Sequence, residues 1–319
     1  MTSANRAMVQ ILFGDKTCQS APGESLLETL LAQHCRIPWS CRAGLCHSCL
    51  MQVTRGSVPE QACTNLSSDQ IASGFFLACQ CYPTSDITIR LPERHLQPQP
   101  AVITGKDFLA PTLLAVRLAP RLPLQYRPGQ HILLWRNATD SRHYCLLSQA
   151  GQDNELLIHV ERRVGGTFSK WLFDEASCGT RVMLSELAGL CHYQPARDNK
   201  PGILFGSGVG IGVAMAIARD TLSHDSSLVL AILLHADTEP AETFYLRHHN
   251  LPESLLQIVT LQAAADKIDK LLTEQGSRGV QIKLIGQNSS VLTLARTLKQ
   301  RRYPDMHLIT QPFASPFSA

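Results

Sequence analysis

Long apolar runs are missing from this chain. No stretch approaches the roughly 18 residues that a membrane-spanning helix requires, so no span is expected. An excess of either charge is missing too. The 29 Lys+Arg against 26 Asp+Glu leave a formal net charge of +3 with no basic block, which argues against nucleic acid or an anionic membrane as partner. Met1 to Gly14 have no basic start, long apolar core or small-residue cleavage site, so no export signal is expected and the expected compartment is the cytoplasm. Internal repeats are absent as well. What is present is a chain of 319 residues, enough for two or three domains with buried cores, and 11 cysteines.

Four of those cysteines form a pattern. Cys41, Cys46 and Cys49 stand in C-x4-C-x2-C spacing within Cys41-Arg42-Ala43-Gly44-Leu45-Cys46-His47-Ser48-Cys49, and Cys79 follows at a distance. This is the plant-type 2Fe–2S spacing, in which one short loop supplies three of the four thiolates that converge on two irons. Ala43, Gly44 and Ser48 are small enough to let the loop curl and aim backbone N–H groups at the sulfurs. Cys79, within Phe76-Leu77-Ala78-Cys79-Gln80, would sit on a firm apolar element. A zinc site would show paired knuckles or Cys/His mixtures, and a disulfide framework suits short secreted chains. Both fit less well. The other thiols, Cys18, Cys35, Cys63, Cys81, Cys145, Cys178 and Cys191, are scattered and read as reduced core packing. His47 can donate toward the cluster, belong to a docking surface, or simply be solvated.

Around that loop the pattern predicts a small sheet crossed by a helix. Val9, Ile11 and Phe13 alternate before a turn at Gly14-Asp15, and Ser25-Leu26-Leu27-Glu28 is a capping box for a helix burying Leu27, Leu30 and Leu31. Leu50 to Val53 reads as a strand, Ser67 to Ser73 as a helix, and Ile87, Ile89 and Leu91 as a closing strand. Residues 6–92 thus resemble plant-type ferredoxins, which implies an α+β, β-grasp-like domain over 1–93. Pro92, Pro98 and Pro100, with Gln97 and Gln99, read as a stiff polar linker over 94–100.

Short β segments follow at Leu113–Leu118, His131–Trp135, Tyr144–Leu147, Leu156–Val160 and Arg181–Leu184, with one helix near Thr167–Phe173. They predict an antiparallel β-barrel domain over 101–198. Beyond it strands and helices alternate, predicting an α/β domain with a parallel sheet over 199–319. Its strands are expected at Ile203–Phe205, Leu228–His235, Gln257–Leu261, Gln281–Ile285 and His307–Thr310. Its helices are expected at Val213–Leu222, Pro240–His248, Ala264–Thr273 and Ser290–Arg301.

Arg142-His143-Tyr144-Cys145-Leu146-Leu147-Ser148 resembles the R-x-Y-S/T-x-x-S motif of the ferredoxin–NADP reductase superfamily. Tyr126-Arg127-Pro128-Gly129-Gln130 resembles its upstream P-G-Q segment, and Gly165-Gly166-Thr167-Phe168-Ser169 its glycine-rich flavin phosphate motif. The resemblance implies FAD. Arg142 suits a pyrophosphate, Tyr144 offers a face to the isoalloxazine ring, and residues 166–169 open a helix toward an anion. His143, Ser148, His159 and Val160 join the expected cofactor-binding set. Cys145 departs from the family, which has a hydroxyl reaching the flavin N5 region at that position, and a thiol is a weaker donor.

Leu204-Phe205-Gly206-Ser207-Gly208-Val209-Gly210-Ile211-Gly212 runs from a strand into a glycine turn and a helix, as a dinucleotide site would. The same glycines would also serve tight strand–helix packing alone. Gly206, Gly208, Val209, Gly210 and Gly286 are the expected nucleotide contacts. The superfamily form G-G-T-G-I-A/G-P puts Thr and Pro where Val209 and Val213 stand, and C-G-P where Ile285-Gly286-Gln287 stands. Asp237 would disfavour a 2′-phosphate and accept from a ribose hydroxyl, favouring NADH over NADPH; a solvated loop acid is the other reading. Gln311-Pro312-Phe313 resembles the closing E-x-F, with Phe313 as the C-terminal aromatic and Gln in place of Glu.

Taken together, the chain resembles the reductase components of bacterial multicomponent oxygenases. The implied activity is transfer of a hydride from NADH to FAD, then of single electrons to the 2Fe–2S cluster and to an electron-accepting protein docking near it. No acid–base residue is expected to be catalytic. The departures at Val209, Val213 and Ile285 sustain an alternative from another class, a redox relay or sensor that does not oxidise nicotinamides.

Overall fold

The computed structural model describes residues 8–21, 23–35, 37, 39, 42, 44, 49–64, 66, 68–92, 98–137, 140–194, 201–236, 240–275, 279–301, 303 and 306–313. The chain forms two compact units, Met1–Arg94 and His95–Ala319.

In the first unit, β1 (Val9–Phe13) turns at Gly14, whose φ of +59° suits glycine, into antiparallel β2 (Lys16–Ser20). Helix α1 (Leu26–Ala32) starts with the reciprocal capping box: the Glu28 N–H donates to Ser25 Oγ at 3.3 Å, and the Ser25 N–H donates to the Glu28 carboxylate at 3.4 Å. Its Leu26, Leu27 and Leu30 are buried, while Leu31 packs at the margin. β3 (Leu50–Arg55), α2 (Ser68–Ala72), β4 (Phe75–Leu77) and β5 (Ile87–Arg90) follow, with 3-10 turns at Glu60–Cys63 and at Ala78–Gln80, the latter carrying Cys79. The sheet order is β2-β1-β5-β3-β4, with β1 and β5 parallel and the other pairs antiparallel. Ile11, Leu30, Met51, Phe76 and Ile89 make the core between sheet and helix.

The second unit begins with β6 (Gln99–Ala110), β7 (Leu113–Pro120), β8 (His131–Trp135), β9 (Ser141–Cys145), β10 (Leu156–Glu161) and β11 (Arg181–Ala188). They follow the order β10-β7-β6-β11-β8-β9. A bridge between Leu146 and Ile158, with the Leu147 N–H donating to the Leu157 carbonyl at 2.8 Å, closes the sheet into a barrel. Helix α3 (Thr167–Asp174) drives Phe168, Trp171 and Leu172 into the barrel core.

Strand β6 differs from expectation, because it begins inside the segment read as linker. Prolines 98 and 100 and the polar Gly105-Lys106-Asp107 hid it, yet Gln99, Ala101 and Ile103 point inward while Pro100 is exposed. An outward proline near a strand start is tolerated there. β9 also lies a few residues earlier than the Tyr144–Leu147 expected for it.

The remaining elements are β12 (Gly202–Ser207), α4 (Gly210–His224), β13 (Val229–His235), α5 (Pro240–Arg247), β14 (Leu256–Ile258), α6 (Leu261–Gln275), β15 (Gln281–Gln287), α7 (Asn288–Gln300) and β16 (His307–Phe313). Leu261, expected at a strand end, opens α6 instead. All pairings are parallel in the order β14-β13-β12-β15-β16. Strand order reverses between β12 and β15, where doubly wound sheets bind ligands at the carboxyl ends. Each face of the sheet has its own core: α6 and α7 cover Phe205 and Leu284, and α4 and α5 cover Leu204 and Leu234 together with Leu113, Leu147 and Cys191 from the barrel side. Among the described residues, no helix is long and apolar enough to cross a membrane.

Gly129 sits where the barrel meets the parallel-sheet half. Its φ is +93°, and an added Cβ would lie 2.1 Å from the Cys191 carbonyl oxygen and 2.6 Å from Ile217 Cδ1. Gly129→Ala is therefore expected to destabilise the unit by about 2 kcal/mol or more, read as a lower thermal unfolding midpoint.

Candidate functional site

Two of the expected cluster ligands are described. Cys49 and Cys79 are 3% and 5% exposed, and the Cys79 N–H points at Cys49 Sγ from 3.5 Å. The pairing of Leu50 with Leu77 and the Ala78 N–H to the Cys49 carbonyl at 3.0 Å bring the two together. Gln80 backs the loop, its Nε2 donating to the Arg42 carbonyl at 3.1 Å and lying 3.7 Å from Cys79 Sγ. Gly44 has φ +71°, and a Cβ there would lie 2.7 Å from Gln80 Cγ, so the curl of the loop leaves no room for a side chain. Converging thiols, an amide aimed at sulfur and a tight glycine fit a thiolate-ligated cluster. Cys41, Cys46 and His47 lie outside the described residues.

On the barrel, β9 carries Arg142 and Tyr144 on one face, and both reach Phe168 of α3. The Arg142 guanidinium is 5.9 Å from the Phe168 ring centre and the Tyr144 ring is 6.0 Å from it. Phe168 thereby joins the R-x-Y strand to the glycine-rich turn. At that turn, an added Cβ on Gly166 would lie 2.7 Å from Ser169 Oγ, while Ser169 Oγ accepts from the Arg163 N–H at 3.2 Å. Arg142 also binds Asp140 at 3.1 Å, with its side chain half exposed and reachable by an anion. Burial raises the Tyr144 phenol above its ordinary pKa, so it presents a neutral ring. An exposed guanidinium, a neutral aromatic face and a helix start without room for side chains fit a flavin dinucleotide.

The other cofactor candidates fall differently. Ser148 is buried in the wall, its Oγ 2.7 Å from the Tyr126 hydroxyl and accepting from the Leu157 N–H at 2.8 Å. His143 stands edge-on to His131, ring centres 4.9 Å apart. Val160 belongs to the barrel core. His159 turns toward the parallel-sheet half, where its Nδ1 is 2.8 Å from the Tyr245 hydroxyl and the rings stack. Burial, then the charge of Arg219, pull the His159 pKa from 6.5 down to about 4. Tyr245 occupies space that a Cβ on Gly212 would invade, at 2.5 Å from its Cε1.

The glycine turns at β12–α4 and β15–α7 face each other. A Cβ on Gly210 would be 2.5 Å from Gly286 Cα, one on Gly286 would be 2.2 Å from the Ser207 carbonyl oxygen, and the Gln287 N–H donates to Ser207 Oγ at 3.0 Å. Packing thus accounts for Gly210 and Gly286. Gly208 (φ +55°) and Val209 open α4, with the Gln287 side chain over Gly208. Val209, Val213 and Ile285 are all buried in the α4-side core. Asp237 lies outside the described residues. Phe313 packs partly buried against the same core.

Gln311 was singled out from the sequence only as a departure. From β16 its Nε2 donates to the Gly129 carbonyl at 3.0 Å and reaches Cys145 Sγ at 2.8 Å. Burial pushes the Cys145 thiol up to about 12, an effect the Gln311 hydrogen bond tempers, so Cys145 stays protonated. Sequence reasoning missed a second bridge, in which buried Asp220 of α4 receives Arg127 at 3.3 Å and Gln149 Nε2 at 2.8 Å. An acidic residue deep in an apolar helix was its available signal.

A family described as "2Fe-2S iron-sulfur cluster binding domain" matches residues 12–84. The reductase subunit of an aromatic O-demethylase from an Amycolatopsis species is 33% identical over 233 residues, 68% of this chain and 69% of the relative. The ferredoxin–NAD(P)+ reductase component of the naphthalene 1,2-dioxygenase system of Pseudomonas putida is 30% identical over 231 residues, 70% and 69% of the two chains. The chain belongs to this family of ferredoxin–NAD(P) reductase components. Among solved structures, an Amycolatopsis cytochrome P450 reductase superposes with a TM-score of 0.60 at 26% identity, over 96% of this chain and 100% of that one. Phthalate dioxygenase reductase shares the fold, with a TM-score of 0.54 at 17% identity over 68% of each chain. This reductase is an oxidoreductase with a 2Fe–2S domain ahead of its NAD(P)-dependent reductase module.

Two outcomes follow from this geometry. Cys79→Ser is expected to yield protein without acid-labile sulfide or cluster absorption but with flavin retained, as metal and flavin analysis would reveal. His159 gives a pH dependence. Its folded pKa is depressed, so its stabilisation is complete above pH 6.5 and is lost as pH falls from 6.5 toward about 4. Unfolding midpoints across that window should fall more steeply for the native reductase than for His159→Asn.

Proposed function

We propose that the reductase draws electrons from NADH and hands them singly to a partner protein, an oxygenase or similar acceptor, which docks near the cluster cysteines. The observation that carries this reading is the reach of Gln311 from β16 to Cys145, which sets the last strand of the parallel sheet against the R-x-Y strand of the barrel. A dinucleotide held by one half would then face a flavin held by the other. When bound, the flavin converts a two-electron input into single electrons and the cluster stores one electron at a time.

The protein's part is binding, orientation and exclusion of water. Cys41, Cys46, Cys49 and Cys79 serve as the four thiolates, with the Cys79 amide stabilising charge on Cys49. Arg142 would hold the flavin pyrophosphate, and Tyr144 would offer its ring face to the isoalloxazine. Gly165, Gly166, Thr167, Phe168 and Ser169 offer the helix start to phosphate. His143 and Cys145 stand on the strand that would flank it, His159 and Val160 belong to neighbouring β10, and Ser148 fixes the wall from within. Gly206, Gly208, Val209, Gly210 and Gly286 would receive the dinucleotide, and Phe313 would serve as the C-terminal aromatic beside it. Asp237 accepts from a ribose hydroxyl and disfavours a 2′-phosphate, which makes NADH the preferred donor. The working units are 1–93, a barrel half that opens with β6 at Gln99 and runs to 198, and 199–319. The proposed compartment is the cytoplasm.

The buried Ile285 and Val209 favour one competing reading, a relay that no longer oxidises nicotinamides. Anaerobic mixing separates the two. Flavin absorbance is expected to bleach rapidly with NADH, and only at higher concentration with NADPH, and Asp237→Ala should narrow that difference. Absence of bleaching up to about millimolar NADH, the upper end of ordinary KM values, would overturn the reductase reading.

A further inference from the structure

Beside the cluster ligands stands a pair of side chains that the electron path does not use. Trp39 is 40% exposed, and the Arg42 guanidinium lies 4.3 Å above its ring. A single exposed apolar side chain is ordinary. This one is pre-ordered. Arg42 has φ +53°, an uncommon state for a residue with a Cβ, and its carbonyl is held by Gln80 Nε2 at 3.1 Å. Gln80 adjoins Cys79, so the residue that backs the cluster also fixes the base of the stacked pair.

Charge narrows what this pair can meet. Between Glu28 and Glu60 the chain contains no carboxylate side chain, while Arg36, Arg42 and Arg55 all fall in that interval. Residues 1–94 as a whole balance seven Lys and Arg with seven Asp and Glu, so the positive charge is local rather than the broad field that a polyanion or membrane would need. Tryptophan and arginine are the residue types that most often dominate protein–protein contacts, and ordering them beforehand lowers the entropy lost on binding.

We propose that Trp39 and Arg42 form the contact point through which the reductase docks an acidic protein, the indole entering an apolar hollow while the guanidinium meets carboxylates around it. This rests on the proposed delivery of electrons from the cluster. It adds the chemistry of the surface that receives them, and it assigns the loop a recognition role separate from ligation.

The test uses the full-length holoprotein, reduced with dithionite, freed of excess reductant and mixed in a stopped-flow instrument with a ferric haem protein. One electron leaves the cluster and one ferric haem becomes ferrous. Acidic cytochrome b5 and basic cytochrome c are the probes, with uncharged benzoquinone as a small control. Transfer to the acidic acceptor is expected to slow about tenfold or more as salt shortens the Debye length from about 30 Å to about 8 Å. Arg42→Glu should slow it about tenfold at low salt and speed transfer to the basic acceptor, and Trp39→Ala should slow the acidic acceptor at every salt concentration. Benzoquinone rates should not change. Rates to the acidic acceptor that are indifferent to both substitutions, or a native preference for the basic acceptor, would overturn the proposal. Because dithionite supplies the electrons, a protein that ignored NADH would still answer the docking question. Should Arg42→Glu assemble its cluster poorly, Arg42→Gln and Trp39→Ala decide the matter.

Discussion

One carboxamide ties the two halves of the second unit to each other. Gln311 spends both Nε2 protons on the barrel, one on a backbone oxygen at Gly129 and one on the Cys145 sulfur. Its own strand is register-locked to β15, with Gln311 opposite Ile285. A displacement of either half would leave a buried amide without partners, at a cost of about 1–3 kcal/mol. The crevice in which a dinucleotide and a flavin would meet therefore takes its width from a contact made without any ligand.

Other contacts repeat this arrangement at different points along the boundary. Arg127 and Gln149 converge on Asp220, whose carboxylate is almost wholly buried, and Arg127 also lies 5.4 Å from the Tyr193 ring centre. A buried acid with two donors is tolerable; the same acid alone would not be. His159 and Tyr245 add a neutral hydrogen bond and a stack. The positive-φ turn at Gly129 lets the chain pass between Cys191 and Ile217. The P-G-Q segment, which reads from sequence as a prelude to flavin binding, thus also shapes the boundary.

How much was legible in advance depended on whether the information was local. The capping box at Ser25 is complete within four residues and forms as its pattern implies. The R-x-Y segment lies on a barrel strand and the glycine-rich segment opens α3, and Phe168 packs against both Arg142 and Tyr144. Strand β6 was hidden because proline marks linkers far more often than strands, and only the alternation of Gln99, Ala101 and Ile103 betrayed it. The bridges at Gln311 and Asp220 could not be read, since Gln311 lies 166 residues from Cys145 and Asp220 lies 71 from Gln149. No periodicity records such a pairing. The glycines at 210 and 286 were read as nucleotide contacts, and their mutual packing gives them a second reason to be glycine.

That mutual packing constrains how such a module can be reshaped. Ser207, Gly210 and Gly286 interlock so closely that neither loop has space for a methyl group. A graft of one loop from a relative whose opposite loop has a different contour would meet backbone rather than solvent. Reshaping the donor site of this module would thus require residues 206–212 and 285–288 to be redesigned together.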